Sequence, residues 1–218
     1  VENLIGLKNL KNKIDLKSYP SIEAQIASIS DDIAYNNHDI QDGFNANIFR
    51  INELKEINFF NEILKRYSSK FKKTDSRILI YQMVRDSINL MVKDLIKNSL
   101  KNFKFNKIYK LNDVYKSENK LVCFSSNYEN TINEIRDFLS TKMYKNNKVL
   151  KKNNEGKRII EKLFNTISRN PRKFLTFSTN KHNKYRSIAD YISGMTDRFA
   201  INIYKSLKWI YLKNIKIK

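Results

Sequence analysis

Isoleucines at helical spacing between Ser21 and Gly43 are the feature that most constrains the fold of this chain. They occupy positions 22, 26, 29, 33 and 40. An α-helix turns by about 100° per residue, which places these positions on one side, whereas a half-buried strand requires strict alternation. The segment is therefore predicted to be an amphipathic helix, with Pro20 at its first position and Gly43 as a left-handed cap.

The opposite side of this helix carries acidic and hydrogen-bonding side chains. Asp31, Tyr35 and Asp39 follow one another at four-residue intervals, and His38 and Asp42 project from the same side. Such a ladder can place a metal ligand and two hydrogen-bonding groups along one groove. It can equally be a solvated face, since charged helical runs usually face water. The residues by themselves leave both interpretations open.

Three stretches of the chain resemble a known family. Glu23 to Gly43, EAQIASISDDIAYNNHDIQDG, resembles the segment that carries the last metal ligand in bacterial dGTPase-like deoxynucleotide triphosphohydrolases of the HD-domain superfamily. Ile188 to Ala200, IADYISGMTDRFA, resembles the closing signature of that family. Arg77 to Ile96 is a weaker match that lies between them in the expected order. The resemblance covers nearly the whole chain and implies the C-terminal portion of such an enzyme.

The resemblance implies roles for five side chains. Asp31 is implied to be the final ligand of a divalent metal ion, Mg²⁺ or Mn²⁺, which polarises the substrate and generates a hydroxide nucleophile. Tyr35 is implied to contact the sugar or phosphate of a deoxynucleoside triphosphate, and Asp39 its 3′-hydroxyl. Tyr81 and Arg85 lie on a helix that lines the nucleotide pocket in the family, so they are candidates for phosphate or sugar contacts. A surface salt bridge is an equal alternative for Arg85.

The other ligands of the family's H…HD…D metal site are expected upstream of the segment that opens this chain. The chain has two histidines, His38 and His182, and neither has the required context. His38 and Asp39 spell HD, but they follow Asp31 on the same helix. The resemblance therefore implies a truncated or split triphosphohydrolase that is inactive alone. Its expected partners are a complementing N-terminal chain or further copies of itself.

The remainder of the sequence predicts an all-α fold, because apolar residues recur at helical spacing in 52–71, 77–101, 130–144, 156–167 and 184–209. The second of these helices is expected to be buried centrally. Gly194, inside the last helix, predicts close packing against another helix or a subunit. Residues 108–125 are expected to form a short strand or an irregular connection.

Combined with the resemblance, this pattern predicts a multi-helix bundle of the HD-domain type that is incomplete at its N-terminal side. Residues 1–104 are expected to form the C-terminal part of the catalytic core. Residues 105–218 are expected to form the C-terminal helical region of the family. The length of 218 residues is sufficient for a sizeable hydrophobic core in either region.

The charge of the chain favours polyanionic ligands. Forty-two Lys and Arg face 22 Asp and Glu, a net charge of +20 that concentrates nucleotides or nucleic acid near the surface. Aromatic residues alternate with lysines in 103–105 and 107–110, which supports an alternative function, a non-enzymatic helical module that binds single-stranded nucleic acid. An AT-rich genome, with its heavy use of Lys, Asn and Ile, explains the charge as well.

The compartment is predicted from what the sequence lacks. No apolar run reaches the length of a membrane span, and no signal peptide is present. The single Cys123 excludes an internal disulfide and fits a reducing environment. These features predict a cytoplasmic protein with no membrane partner.

Overall fold

The computed structural model describes residues 18–68, 75–175 and 184–215, and these residues form helices joined by turns and irregular connections. No strand occurs among them, so the all-α prediction is confirmed. None of the helices in these ranges is long and apolar enough to cross a membrane. In chain order the helices are α1 (Ile22–Asn45), α2 (Ile51–Leu54), α3 (Asn58–Ser68), α4 (Ser76–Phe105), α5 (Leu111–Tyr115), α6 (Ser126–Leu139), a π-helical turn (Ser140–Tyr144), α7 (Asn147–Arg169), a 3₁₀ turn (Pro171–Lys173), α8 (Lys184–Ser193) and α9 (Asp197–Ile215).

The chain divides into two compact units, Val1–Asn146 and Asn147–Lys218. This division follows packing and lies well after the boundary at 104/105 that the resemblance implies. The family-based division into a catalytic core and a C-terminal region stays a prediction.

Helix α1 follows its sequence pattern closely. Ser21 is the N-cap, and its hydroxyl accepts a hydrogen bond from the Ala24 amide. Pro20 therefore precedes the cap and is not the first helical residue. Three of the five isoleucines, Ile29, Ile33 and Ile40, are buried, whereas Ile26 is exposed.

Gly43 is not a left-handed cap, because α1 continues through it to Asn45. The left-handed residue is Asn47, with φ of 53°. Gly43 is buried, and a Cβ atom built there would overlap the ring of Phe49. The glycine is thus needed because the Phe49 ring packs directly against the helix backbone.

Helices α1 and α4 run antiparallel. Asn37, late in α1, lies with Nδ2 3.5 Å from Met91 Sδ. Gln25, early in α1, and Asn102, late in α4, both hydrogen-bond to the backbone of Leu121. The first turns of α1 therefore lie beside the last turns of α4.

Helix α4 is buried on one side only, so the expectation of central burial is wrong. Its buried side contacts α1 and α3 and carries the residues Ile80, Met83, Val84, Ser87, Met91, Leu95 and Ser99. The opposite side exposes apolar residues to solvent. Asp75 caps the helix, and its carboxylate accepts from the Arg77 amide at 2.9 Å.

The segment 108–125 contains the short helix α5 and is otherwise irregular, so of the two expectations the irregular connection is confirmed. Side chains of α4 hold it. Asn98 Nδ2 donates to the carbonyls of Cys123 and Phe124, each at 3.0 Å. Asp94 accepts from the Ser125 amide and hydroxyl at 2.9 and 2.7 Å. These bonds fix the point at which α6 begins.

The second unit has its own small core, in which Leu163 and Ile167 of α7 pack with Ile188 of α8. The single helix expected over 184–209 is wrong, because it is interrupted at Gly194 and continues as α9. A Cβ atom at Gly194 would meet only carbonyls of its own chain segment at ordinary contact distances. The glycine marks a helix end, where the Gly194 amide donates to Asp190, and not a close helix crossing.

Replacement of Gly43 by alanine is expected to lower the free energy of unfolding by about 1–3 kcal/mol, because the added methyl group displaces the Phe49 ring. Gly156 is the matched control, since it is also helical and has open space around its Cβ position. Gly156→Ala is expected to stabilise by about 0.5–1 kcal/mol. Urea denaturation followed by circular dichroism measures both changes. Equal effects of the two substitutions would contradict the Phe49 contact.

Candidate functional site

The acidic ladder of α1 faces away from the core, in agreement with the sequence. Asp31, His38 and Asp42 are exposed, and Tyr35 is more than half exposed. Asp39 is half-buried and hydrogen-bonds to a half-buried tyrosine of the π-helical turn. The ladder is thus open to solvent at one end and covered at the other.

Tyr144 covers that end of the ladder. Its hydroxyl donates a short hydrogen bond to Asp39 Oδ2. Burial, followed by the hydrogen bonds with Asp39 and with Tyr35, raises the pKa of Tyr144 well above its ordinary value. Tyr144 therefore stays protonated at neutral pH and remains a donor. The Tyr144 hydroxyl thus joins Tyr35 and Asp39 into one polar cluster.

Helix α6 and the π-helical turn run parallel to α1 along its acidic side. Arg136 of α6 pairs with Asp32 at 3.1 Å, and Tyr144 meets Asp39 further along both segments. The Arg136–Asp32 pair is about half exposed and contributes at most about 1 kcal/mol. The pair shows which residues of α6 and α1 lie side by side.

The sequence does not indicate Tyr144 as a site residue. Apolar spacing predicts a continuous helix over 130–144, and in such a helix Tyr144 lies outside the row of apolar residues. A π turn, from Ser140 to Tyr144, replaces the last α-helical turn. The wider turn rotates the tyrosine toward α1. Such turns are rare and occur often at functional sites, but their position cannot be read from apolar spacing.

Gln25 has a structural role. It is buried, and its Oε1 accepts from the amides of Leu121 and Val122 at 3.2 and 3.1 Å. Its Nε2 donates to the Pro20 carbonyl at 2.8 Å. These three bonds satisfy a polar group that would otherwise be costly to bury. They also attach the irregular segment to the start of α1.

Tyr81 and Arg85 are both exposed on α4. Because α4 is antiparallel to α1 and Met91 contacts Asn37, Arg85 lies toward the C-terminal end of α1, away from Asp31. Arg85 forms no ion pair in the described residues. The structure thus brings Tyr35 and Asp39 together, whereas Tyr81 and Arg85 form no described contact with them.

Asp31 offers the oxygen ligand that Mg²⁺ or Mn²⁺ prefers, but the described residues do not complete a metal site. No group of three or more His, Cys, Asp or Glu side chains with suitable geometry occurs among them. His182 lies outside the described residues. Asp190, within the 188–200 signature, is paired with Arg186 at 2.9 Å. A metal at Asp31 therefore requires ligands beyond those described.

A basic groove lies at the end of α4, at the opposite end of that helix from Arg85. Its volume is about 650 Å³. Three lysines on successive turns of α4, Lys97, Lys101 and Lys104, line it together with Leu100, Phe103, Ile108 and the largely exposed Tyr109. The alternation of lysine and aromatic residues seen in the sequence is thus a real surface feature.

Comparison with known families defines the class of the protein. A family model described as a phosphohydrolase-associated domain matches residues 122–206. This region begins at the segment that Gln25 holds, and it includes Tyr144 and the closing signature at 188–200. The described residues are thus helical, and residues 122–206 are similar to a phosphohydrolase-associated domain.

Individual relatives are more specific. A deoxyguanosinetriphosphate triphosphohydrolase-like protein of Pelagibacter ubique (strain HTCC1062) is 55% identical over 207 residues, which cover 95% of this chain and 56% of that protein. A protein of the same name from Rickettsia typhi is 37% identical over 214 residues, with the same coverage of both chains. The resemblance to the dGTPase-like family is therefore confirmed over nearly the whole chain. The chain spans 56% of the length of these curated relatives.

Tyr144→Phe is expected to lower the free energy of unfolding by about 1–2 kcal/mol at pH 7, because Asp39 loses a hydroxyl donor. The pKa of Tyr144 is raised in the folded state, so this stabilisation is complete below its ordinary value of 10.0 and is lost as pH rises above it. The difference between the parent and Tyr144→Phe should therefore narrow above pH 10. Urea titrations at pH 7, 9 and 11 measure it. A pH-independent difference would contradict the assigned bond.

Proposed function

We propose that the chain forms part of a metal-dependent deoxynucleoside triphosphate triphosphohydrolase, which converts a deoxynucleoside triphosphate and water into a deoxynucleoside and tripolyphosphate. The similarity to triphosphohydrolase-like proteins over 95% of the chain supports this reaction class. The placement of Tyr35 and Asp39 in one polar cluster with Tyr144 supports the assignment of a substrate site to α1.

In this proposal each ladder residue has a separate task. Asp31 supplies one ligand to Mg²⁺ or Mn²⁺, and the exposure of its carboxylate leaves it accessible to an ion and to further ligands. Tyr35 contacts the sugar or a phosphate oxygen. Asp39 accepts from the 3′-hydroxyl of the deoxyribose through Oδ1, because Oδ2 already accepts from Tyr144. Tyr144 is thus a positioning residue that fixes the orientation of the Asp39 carboxylate.

The triphosphate needs several positive charges besides the metal. Arg85 and the lysines of this basic chain are candidates, with Tyr81 as a sugar contact. An oligomer or a complementing chain, and a cytoplasmic location, belong to the same proposal. The isolated chain is expected to be inactive, because a single carboxylate does not hold a divalent ion in a defined geometry.

The test uses two proteins, the chain alone and a fusion in which the chain replaces the matched part of the Pelagibacter relative. Release of tripolyphosphate from dGTP with Mn²⁺ or Mg²⁺ is expected from the fusion and not from the chain alone. Asp31→Asn is expected to reduce kcat in the fusion by about 100-fold or more, because the metal loses a ligand. Asp42→Asn removes a carboxylate from the same exposed side of α1 and is expected to leave kcat unchanged.

An inactive but cooperatively folded fusion would contradict the proposed reaction. Equal losses of kcat in Asp31→Asn and Asp42→Asn would also contradict the proposal, since a general loss of negative charge on α1 would then explain both. Binding of Mn²⁺, followed by calorimetry, separates the loss of the metal from the loss of a later step.

The basic groove supports a second candidate function, the binding of single-stranded nucleic acid. Lys97, Lys101 and Lys104 can neutralise successive phosphates, and Tyr109 offers an exposed ring on which a base can stack. This function requires no metal and no nucleotide specificity. It is compatible with the enzymatic proposal, because the groove and the ladder use different residues.

Replacement of all three groove lysines by alanine is expected to weaken binding of a dT12 oligonucleotide about 10-fold or more at 100 mM salt, and to reduce the salt dependence of the affinity. A variant of Lys151, Lys152 and Lys157 removes the same charge from α7 and serves as the control. Fluorescence anisotropy at several salt concentrations measures both. Equal losses in the two variants would assign the affinity to net charge and would contradict a groove.

A further inference from the structure

The π-helical turn begins where a side-chain hydroxyl enters the hydrogen-bond ladder of α6. Thr141 Oγ1 lies 2.6 Å from the Asp137 carbonyl oxygen and 3.1 Å from that of Phe138. Such a hydroxyl competes with backbone amides for the carbonyls of the preceding turn and distorts the helix, and a π turn is one such distortion. Thr131, earlier in α6, makes a longer contact of 3.2 Å with the Asn127 carbonyl, and the helix stays regular there. The close double contact of Thr141 therefore favours the wider turn.

A second contact attaches the π-helical turn to α2. Lys142 Nζ lies 2.9 Å from Glu53 Oε1, and Glu53 Oε2 accepts from the Arg50 amide at 2.8 Å, so the carboxylate is held at both oxygens. The Arg50 amide and the lysine lower the pKa of Glu53, and the carboxylate raises the pKa of Lys142. Both groups are therefore charged at neutral pH. A partly exposed pair of this kind adds little to stability, but it fixes the distance between α2 and a residue two positions from Tyr144.

The start of α2 is itself fixed against α1 and α6. Phe49, in the connection that leads into α2, is buried and packs so closely against Gly43 of α1 that no Cβ atom fits there. Its ring also meets the ring of Phe138 edge-on, with 5.0 Å between the centroids. The carboxylate that holds the π-helical turn is thus anchored on α1, the helix that carries Asp39.

We propose that Lys142 and Thr141 are positioning residues for the candidate substrate site. Both act through Tyr144, whose hydroxyl donates to Asp39 Oδ2 and leaves Oδ1 for the substrate. Hydrogen bonds weaken steeply with angle, so a small rotation of the turn is sufficient to lose this one. The role of Asp39 toward the 3′-hydroxyl rests on the proposed function, whereas the chain of contacts from Glu53 to Asp39 rests on the structure alone.

The bond between Tyr144 and Asp39 is measured by NMR at pH 7 in the chain with carbon-13 at the Cζ atoms of its tyrosines. Tyr144→Phe identifies the Tyr144 signal by its loss, and Asp39→Ala gives the position of that signal without the bond. Lys142→Met is expected to move the signal at least half of the way to that position. Lys142→Arg keeps the charge and is expected to leave the signal in place. A general loss of stability does not move the signal, because it comes from the folded chain.

The contribution of the π-helical turn itself is tested in the same way. Thr141→Val removes the hydroxyl and is expected to move the Tyr144 signal in the same direction, whereas Thr141→Ser retains the hydroxyl and restores it. Thr131→Val is the matched control, since it removes a similar hydroxyl from α6. Lys152→Met removes one charge from an exposed ion pair of α7 and controls for Lys142→Met. Both controls are expected to leave the signal unchanged.

A second variant weakens the ion pair from the other side and decides the question if Lys142→Met does not fold. Glu53→Gln removes the negative charge but keeps an oxygen for the Arg50 amide, because glutamine serves at this capping position as glutamate does. It is expected to move the Tyr144 signal in the same direction as Lys142→Met. An unmoved signal in Glu53→Gln would contradict the role of the pair.

The fusion with the Pelagibacter segment provides a functional measurement. The ratio of kcat/KM for dGTP to that for 2′,3′-dideoxyguanosine triphosphate reports the bond to the 3′-hydroxyl. Lys142→Met is expected to lower this ratio about 10-fold, as for the loss of one hydrogen bond, mainly through slower hydrolysis of dGTP. Lys142→Arg and Lys152→Met are expected to leave the ratio unchanged.

The outcomes separate this inference from the proposed reaction. A Tyr144 signal that stays in place in Lys142→Met and Thr141→Val, or that moves equally in the controls, overturns the positioning role. A moved signal with an unchanged nucleotide ratio in an active fusion also overturns it, because the contacts then serve only the shape of the turn. A folded fusion that does not hydrolyse dGTP contradicts the proposed reaction, and the Tyr144 signal alone then decides whether Lys142 and Thr141 position Tyr144.

Discussion

The buried amide of Gln25 is the contact on which the rest of the first unit depends. It joins the start of α1 to the backbone of Leu121 and Val122, in a segment with no regular secondary structure. Irregular backbone can be buried only when its polar groups find partners, and each unmade bond of this kind costs about 1–3 kcal/mol. Asn98 and Asn102 complete the attachment from the side of α4.

The position of α6 follows from this attachment. Asp94 caps α6 through the amide and hydroxyl of Ser125, so the helix starts at a fixed point and runs parallel to α1. The π turn at its end then directs Tyr144 onto Asp39. The polar cluster of Tyr35, Asp39 and Tyr144 therefore depends on the contacts of Ser125 at the other end of α6.

The two sides of α4 differ in what they contact. Its inner side carries the apolar core and the polar residues that hold the irregular segment. Its outer side carries exposed apolar residues, among them Ile96 and Leu100. A sequence pattern with apolar residues all around a helix predicts burial on every side. In α4 only the inner side is buried, so the apolar residues of the outer side remain exposed to solvent.

The local features of this protein are predictable from its amino-acid sequence. The spacing of isoleucines and of Asp31, Tyr35 and Asp39 predicted helix α1 and its two sides, since both depend only on the geometry of one helix. The motifs in α1 and at 188–200 predicted the family, which the relatives confirm. The cap that Asp75 provides for α4 is local in the same sense, because a cap acts within four residues of its own position.

Features that depend on distant residues become visible only in the folded chain. Gln25 meets residues almost a hundred positions away, Tyr144 reaches Asp39 through a π turn, and Gly43 is needed because of the Phe49 ring. None of these follows from periodicity, because a period describes one element and not its neighbours. The break at Gly194 was missed for a related reason, since apolar spacing continues across a helix end. The chain thus encodes its helices locally, whereas its candidate site arises from how an irregular segment is held between two of them.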